Sequence, residues 1–188
     1  MKAFTLVSVA IILAGCVSLT PQQQDRTAEM QRFVDRATEV YGKPPVRISV
    51  QATTNLNIGA VYRQGNIYVS IRQLDSPYWK KTIAHELGHY ILGHDGFIPN
   101  AVSQAEWQRG REQKELDANA KAVEILMRTD GRTEAEAVEV VADALRRSAE
   151  AQRRNNLPLT PGHLPASAEL ADLLARFPTV PMATAEPR

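Results

Sequence analysis

The sequence predicts an α+β fold that is mainly helical, with one small sheet beside a central helix. Apolar residues recur at helical spacing in five segments. Alternating and β-branched residues occur instead in a short region between residues 46 and 71. The order is therefore one helix, a group of strands and then more helices, which is typical of α+β domains.

The first helix is predicted over Thr27–Tyr41, and a Gly-Lys-Pro-Pro sequence follows it as a stop signal. Val46–Val50 alternates and predicts a strand. Gly59–Arg63 and Asn66–Ile71 predict two further strands. Gln64-Gly65-Asn66 between them indicates a tight hairpin turn.

Four helices are predicted after the strands. The first runs from about Tyr78 to Leu92. The next two begin at capping-box sequences, Ser103 to about Arg128 and Thr133 to about Arg153. The last begins near Pro165, a residue that suits a first helical turn, and carries an apolar stripe.

Composition excludes one class of partner. The chain has 188 residues with 22 Lys and Arg against 21 Asp and Glu, so no basic surface for nucleic acid is expected. Cys16 is the only cysteine, which rules out an intrachain disulfide.

The amino end has the pattern of an export signal. Met1-Lys2 is followed by an apolar run, Ala3–Ala14, that is too short to span a bilayer. Leu13-Ala14-Gly15-Cys16 resembles a bacterial lipobox, in which cleavage precedes the cysteine and the cysteine carries lipid. An uncleaved signal anchor with an incidental cysteine is the alternative.

These features give the expected domain organisation. Residues 1–15 are predicted to be a signal peptide, 16–26 a lipid-anchored tether, 27–177 the folded domain and 178–188 a flexible tail. The resemblance implies a membrane partner through lipid on Cys16 and a place in the bacterial cell envelope. By resemblance to lipoprotein sorting signals of Gram-negative cells, the non-acidic Val17 implies the outer membrane, facing the periplasm.

The sequence His85-Glu86-Leu87-Gly88-His89 carries the candidate chemistry. Residues four apart share a helix face, so His85 and His89 can point two imidazoles at one metal ion. Glu86 can then reach a metal-bound water and accept its proton. A buried helix with incidental histidines is the structural alternative.

A zinc ion used for hydrolysis needs a third protein ligand and one open position. Glu115, in the next helix, is the first candidate. Asn119 lies four residues later on the same face and can hydrogen-bond a ligand. Asp117 and His94 are weaker candidates for the third ligand. A solvated acidic helix face is the other interpretation of this segment.

These motifs resemble the gluzincin metallopeptidases. The His-Glu-x-x-His sequence and Glu115-Leu116-Asp117-Ala118-Asn119 look most like the HtpX and CAAX-prenyl-protease family, which usually has Glu-x-x-Ala-Asp. The resemblance implies a zincin-like domain with Zn²⁺ on His85, His89 and Glu115, and Glu86 as the base. Asn119 departs from that pattern, and Glu-x-x-Ala-Asn is similar to the ImmA/IrrE-type peptidases, the second choice.

Gly162-His163-Leu164-Pro165 resembles the late His-Pro segment of the first family. His163 could donate a hydrogen bond to the oxyanion formed on the scissile carbonyl, or it could close the open metal position. A helix-capping or exposed loop histidine is the alternative. All three roles stay open at this stage.

The sequence thus predicts a zinc metalloendopeptidase of the bacterial cell envelope that acts on a protein or peptide substrate. The strand at Gly59–Arg63, or its neighbour, could pair with an extended peptide, or it could be sheet core only. An envelope chaperone or assembly factor with a structural zinc site is the alternative from another functional class. The oligomeric state is left open.

Overall fold

A computed structural model of the chain describes residues 18–52, 59–94, 103–159 and 162–178. The predicted signal peptide, Cys16 and nearly all of the predicted tail lie outside the described residues. The described elements, in chain order, are α1 Pro21–Val40, β1 Arg47–Gln51, β2 Ala60–Arg63, β3 Asn66–Ser70, a 3-10 helix Ile71–Asp75, α2 Trp79–Leu92, α3 Gln104–Asp130, α4 Glu134–Asn155 and α5 Ala166–Arg176.

The α+β class is confirmed, with the small sheet placed next to α2. The strand order is β1-β3-β2. β1 pairs with β3 in parallel, and β2 pairs with β3 antiparallel. The predicted hairpin is present. Its two turn residues, Gln64 and Gly65, have φ of 44° and 79°, as a type I′ turn requires.

Most element boundaries differ from the sequence prediction by one or two residues, and two differences have a clear structural cause. α1 begins at Pro21 because Thr20 and Gln23 form a reciprocal capping box, with both hydrogen bonds at 3.2 Å. Residues 21–26, predicted as tether, are therefore helical. Ile71, predicted as the end of the third strand, begins the 3-10 helix instead.

The core lies between the sheet and the helices. α2 contributes Ile83, Ala84 and Leu87, all fully buried. α1 covers the sheet with the buried side chains Met30, Phe33, Val34 and Ala37. No helix in the described part of the chain is both long and apolar enough to cross a membrane.

The close approach of α2 and α3 positions the site. A Cβ atom added to Gly88 would lie 2.8 Å from the carbonyl oxygen of Ala118 and 3.2 Å from its Cα. Only glycine therefore allows the two helix backbones to pack at this distance. This packing brings the histidine face of α2 against the Glu115 face of α3.

Candidate metal centre

His85 and His89 project from one face of α2, as their spacing predicts. Their Nε2 atoms are 3.2 Å apart. Glu115 comes from α3, and its Oε2 lies 3.1 Å from Nε2 of His85 and 3.4 Å from Nε2 of His89. The structure thus brings the three predicted ligands together, and they could hold a metal ion.

These separations fit zinc. Zinc bonds of about 2.0–2.1 Å in tetrahedral geometry place neighbouring ligand atoms about 3.3–3.4 Å apart. The three observed ligand distances, 3.1, 3.2 and 3.4 Å, are close to the edges of such a tetrahedron. The donor set therefore fits a zinc ion with a fourth position left for water or substrate.

The protonation of the ligands also favours a cation. Asn119 Oδ1 lies 2.9 Å from Nδ1 of His85, and a carbonyl oxygen only accepts, so Nδ1 carries the proton. Burial and the nearby Lys81 charge lower the pKa of His85 to about 4, so its ring is neutral at pH 7. Its Nε2 therefore presents a lone pair.

Glu115 adds a negative charge at the same point. Burial raises its pKa, but the neighbouring His85 and His89 rings outweigh burial and hold the pKa well below its usual range. A lone pair on Nε2 of His85 and an ionised carboxylate oxygen thus face each other at 3.1 Å. A shared cation stabilises this arrangement.

His94 has a more specific place than the sequence indicated. α2 ends at Gly93 in the left-handed conformation, with φ of 70°. The chain then reverses, and Nδ1 of His94 lies 3.1 Å from Nδ1 of His89. His94 is therefore within hydrogen-bonding distance of Nδ1 of His89, the ring nitrogen away from the candidate metal position. Asn119 has the same relation to His85.

Asp117, the other weaker candidate for the third ligand, makes its contacts outside the group of His85, His89 and Glu115. Its Oδ1 accepts hydrogen bonds from Arg176 at 2.8 Å and Gln113 at 2.9 Å. It belongs to a surface ion pair between α3 and α5.

Glu86 is buried, with 8% of its surface exposed. The backbone N–H of Tyr62 in β2 donates a hydrogen bond of 2.7 Å to its Oε2. Burial raises the pKa of Glu86 to about 7, against the opposing effects of His89 and of the Tyr62 N–H. A carboxylate with such a pKa can accept and return a proton near neutral pH.

Two charged residues of the site were missed from the sequence. Lys81 lies one turn before His85 on α2, is half-buried, and interacts electrostatically with Glu169, Glu86 and Glu115. Burial lowers the pKa of Lys81. The four-residue spacing from His85 was the available signal for Lys81.

Glu169 of α5 is buried and accepts a 3.0 Å hydrogen bond from Nδ2 of Asn119. In the sequence the last helix is marked only by its apolar stripe, in which one glutamate gives no signal of its own.

His163 is near the metal ligands but is more exposed. Its Nδ1 lies 3.5 Å from Oε2 of Glu115 and 4.0 Å from Oε1 of Glu169, and 36% of its side chain is accessible. The Gly162 N–H donates a 3.2 Å hydrogen bond to Gln108 on α3, which holds this segment at the site. The geometry therefore places His163 at the site and is compatible with each of the roles expected for it.

Comparison with known proteins adds a family. A model of the IrrE N-terminal-like domain, a peptidase family (Peptidase M78), matches residues 46–153, more than half of the chain. Neither curated proteins nor solved structures gave a match.

The matched region contains the sheet, α2, α3 and nearly all of α4. It supports the ImmA/IrrE-type resemblance that was the second choice from the sequence, and it gives no support to the HtpX and CAAX-prenyl-protease resemblance placed first. The Glu-x-x-Ala-Asn sequence ending at Asn119 was the residue pattern that pointed to this second family. The chain belongs to the IrrE N-terminal-like domain family of peptidases and is a metallopeptidase-like protein.

Proposed function

We propose that the protein is a zinc-dependent peptidase of the gluzincin type that cleaves a protein substrate in a regulatory role. One observation carries the proposal: His85, His89 and Glu115 form a zinc-sized donor set, and the buried carboxylate of Glu86 interacts electrostatically with His89 and Glu115. A structural site needs no such base. The family match supports the peptidase class and the ImmA/IrrE-type interpretation.

The charges of the site support a divalent ion. Lys81 faces three carboxylates, those of Glu86, Glu115 and Glu169. Burial raises the pKa of both Glu86 and Glu169, so negative charge is costly to hold in this largely buried place. A divalent cation would lower that cost.

Glu86 is the proton carrier of the proposed reaction. Zinc, when bound, would polarise the scissile carbonyl and acidify the attacking water. Glu86 accepts the proton of that water and then gives it to the leaving amine. The Tyr62 N–H fixes Oε2, so the carboxylate has one oriented oxygen and Oε1 remains to receive the proton.

β2 is the proposed binding edge for an extended peptide. β2 pairs with β3 on one side only, and hydrogen bonding in antiparallel strands alternates along the chain. The Tyr62 N–H is bonded to Glu86, so the Tyr62 carbonyl and the backbone groups of Ala60 also face away from β3. A substrate strand added here would lie next to the base and the metal ligands.

The test is the Glu86→Gln variant. Glutamine keeps the size of the side chain and can accept the Tyr62 hydrogen bond, but it cannot act as a base. We expect one zinc per chain in both proteins and a loss of about 10²–10⁴-fold in peptide hydrolysis. Metal analysis and cleavage of an unfolded protein such as casein measure the two quantities.

A second comparison tests the regulatory role. Protein termini are identified in envelope fractions of cells that express wild type or Glu86→Gln. A few specific new termini in wild type support limited proteolysis, whereas many support general degradation. An undiminished cellular phenotype in the variant would favour the chaperone or assembly-factor alternative.

The location is a separate proposal. We propose that the protein is cleaved before Cys16, carries lipid there and faces the periplasm from the outer membrane, because its first residues resemble a lipoprotein signal. Fractionation of Cys16→Ser is the test, and we expect this variant to leave the lipid-anchored fraction. Membrane retention equal to that of wild type would show that lipid on Cys16 is not the anchor.

A further inference from the structure

Glu169 lies outside the region that matches the peptidase family, yet it reaches the metal centre. The match ends at residue 153, and α5 spans Ala166–Arg176. Only 8% of the Glu169 surface is exposed, and its Oε2 accepts the 3.0 Å hydrogen bond from Nδ2 of Asn119. A glutamate is rarely buried without a specific partner.

The hydrogen bonds form a directed chain from α5 to a zinc ligand. An ionised carboxylate only accepts hydrogen bonds, so Glu169 requires the amide nitrogen of Asn119 on its side. The amide oxygen of Asn119 then faces His85, at 2.9 Å from Nδ1. Nδ1 must donate, which leaves the lone pair of His85 on Nε2, beside Glu115 and His89.

The direction of the amide decides whether His85 can bind metal. With the amide reversed, its NH₂ group would face Nδ1 of His85. The ring proton would then move to Nε2, where it would occupy the metal-binding position. Asparagine has no preference of its own between the two orientations, because each end of the amide forms hydrogen bonds. One orientation must therefore be selected by the residue that binds the other end of the Asn119 amide.

We propose that Glu169 is a positioning residue which, through Asn119, holds His85 in the tautomer that binds zinc. α5 therefore contributes to the proposed metal centre through Glu169. Burial raises the pKa of Glu169, and the Lys81 charge and the Asn119 hydrogen bond oppose that effect. The inference rests on the proposed zinc site and adds a residue to it.

Glu169→Gln is the first variant. Its amide can offer either end to Asn119, so the orientation of Asn119 is no longer selected. We expect zinc affinity to fall by about tenfold or more, the range seen when such supporting partners are removed. Competition with a chelator measures the affinity. The absorption spectrum of the cobalt-substituted protein reports whether the ligand geometry has changed.

The second variant moves the negative charge one position along the chain. In Asn119→Asp/Glu169→Gln, the new carboxylate accepts directly from Nδ1 of His85, and the new glutamine donates to that carboxylate. Each polar group keeps a partner. We expect the double variant to recover zinc affinity to within about threefold of wild type, because the same tautomer is selected.

Asp172→Asn on the same helix is the matched control. Asp172 pairs with Arg176 at the surface, so its variant should bind zinc as wild type does. Thermal unfolding of each metal-free variant shows that α5 is still folded. A Glu169→Gln protein with wild-type affinity and cobalt spectrum, or a double variant as weak as the single one, overturns the inference. Failure of the wild-type protein to bind zinc overturns the proposed function instead.

Discussion

At the scale of single residues, the burial of Glu86 makes the stability of the metal-free protein depend on pH. Its pKa is raised from 4.5 to about 7 in the folded chain. Between these values the folded state binds more protons than the unfolded state, so the contribution of Glu86 to stability falls as pH rises. A shift of this size corresponds to at most about 3 kcal/mol.

We therefore predict that Glu86→Gln stabilises the metal-free protein at pH 8 by up to about 3 kcal/mol. At pH 4.5 the two proteins should differ little, because Glu86 is then mostly protonated. Urea unfolding in the presence of EDTA at both pH values measures the difference. An advantage of the variant that does not grow with pH would contradict the raised pKa.

His163 gives a second prediction at this scale. Its ring is held at the site by the bond between Gly162 and Gln108, beside Glu115. If His163 is the oxyanion donor, His163→Ala keeps zinc and loses about 10²-fold in turnover. Metal content and peptide hydrolysis are measured together. A gain in turnover would favour the gating role, and unchanged kinetics would contradict both roles.

Helical spacing made much of the site predictable. His85 and His89, like Glu115 and Asn119, lie four apart on one helix, so the convergence of each pair follows from local geometry. Glu169 could not be predicted in this way, because its contact with Asn119 spans 50 positions of sequence. It depends on how α5 packs, which a single glutamate in an apolar stripe does not reveal.

At the scale of elements, Gly88 sets the distance between α2 and α3. We predict that Gly88→Ala destabilises the protein by about 1–3 kcal/mol, because its Cβ would meet the backbone of Ala118 rather than a movable side chain. Zinc affinity should also fall, since separation of the helices moves His85 and His89 away from Glu115. Urea unfolding and chelator competition measure the two effects.

Gly131→Ala is the control for that prediction. Gly131 ends α3 with φ of 67°, and a Cβ added there would have no atom within 4 Å. We expect a loss of about 1–2 kcal/mol from the left-handed backbone alone, with zinc affinity unchanged. Equal effects of both substitutions on zinc affinity would show that the contact at Gly88 has no special role.

The elements themselves were largely predictable, because their periodicity and stop signals are local. The parallel pairing of β1 with β3 was not predicted, since it joins strands separated by the whole of β2. The start of α1 was placed too late because the capping box of Thr20 and Gln23 precedes the apolar periodicity. Hydrophobic periodicity reveals neither feature, because strand pairing is a tertiary contact and the capping residues precede the periodic segment.

At the scale of the whole molecule, the proposed zinc ion joins α2 to α3 and so favours the folded state. A ligand at 1,000 times its dissociation constant stabilises by about 4 kcal/mol, which for a chain of this size corresponds to roughly 10 °C in Tm. We predict that EDTA lowers the Tm by about this amount. Scanning calorimetry measures the change.

Two variants separate this effect from general damage. Glu115→Ala should show no response of its Tm to EDTA. Asp117→Asn, two residues away and bound to Arg176 at the surface, should respond as wild type does. An EDTA response in Glu115→Ala equal to that of wild type would place the third ligand elsewhere.

The contribution of α5 also has a consequence for the order in which the protein is made. Synthesis proceeds from the amino end, and Glu169 follows Asn119 by 50 residues. At about 5–20 residues per second, a ribosome needs roughly 3–10 seconds to add them. During that interval the nascent chain already has both histidines and Glu115 but not the residue that directs Asn119. On the proposed role of Glu169, a chain that stops before α5 would therefore bind zinc more weakly than the full chain, although it contains all three proposed ligands.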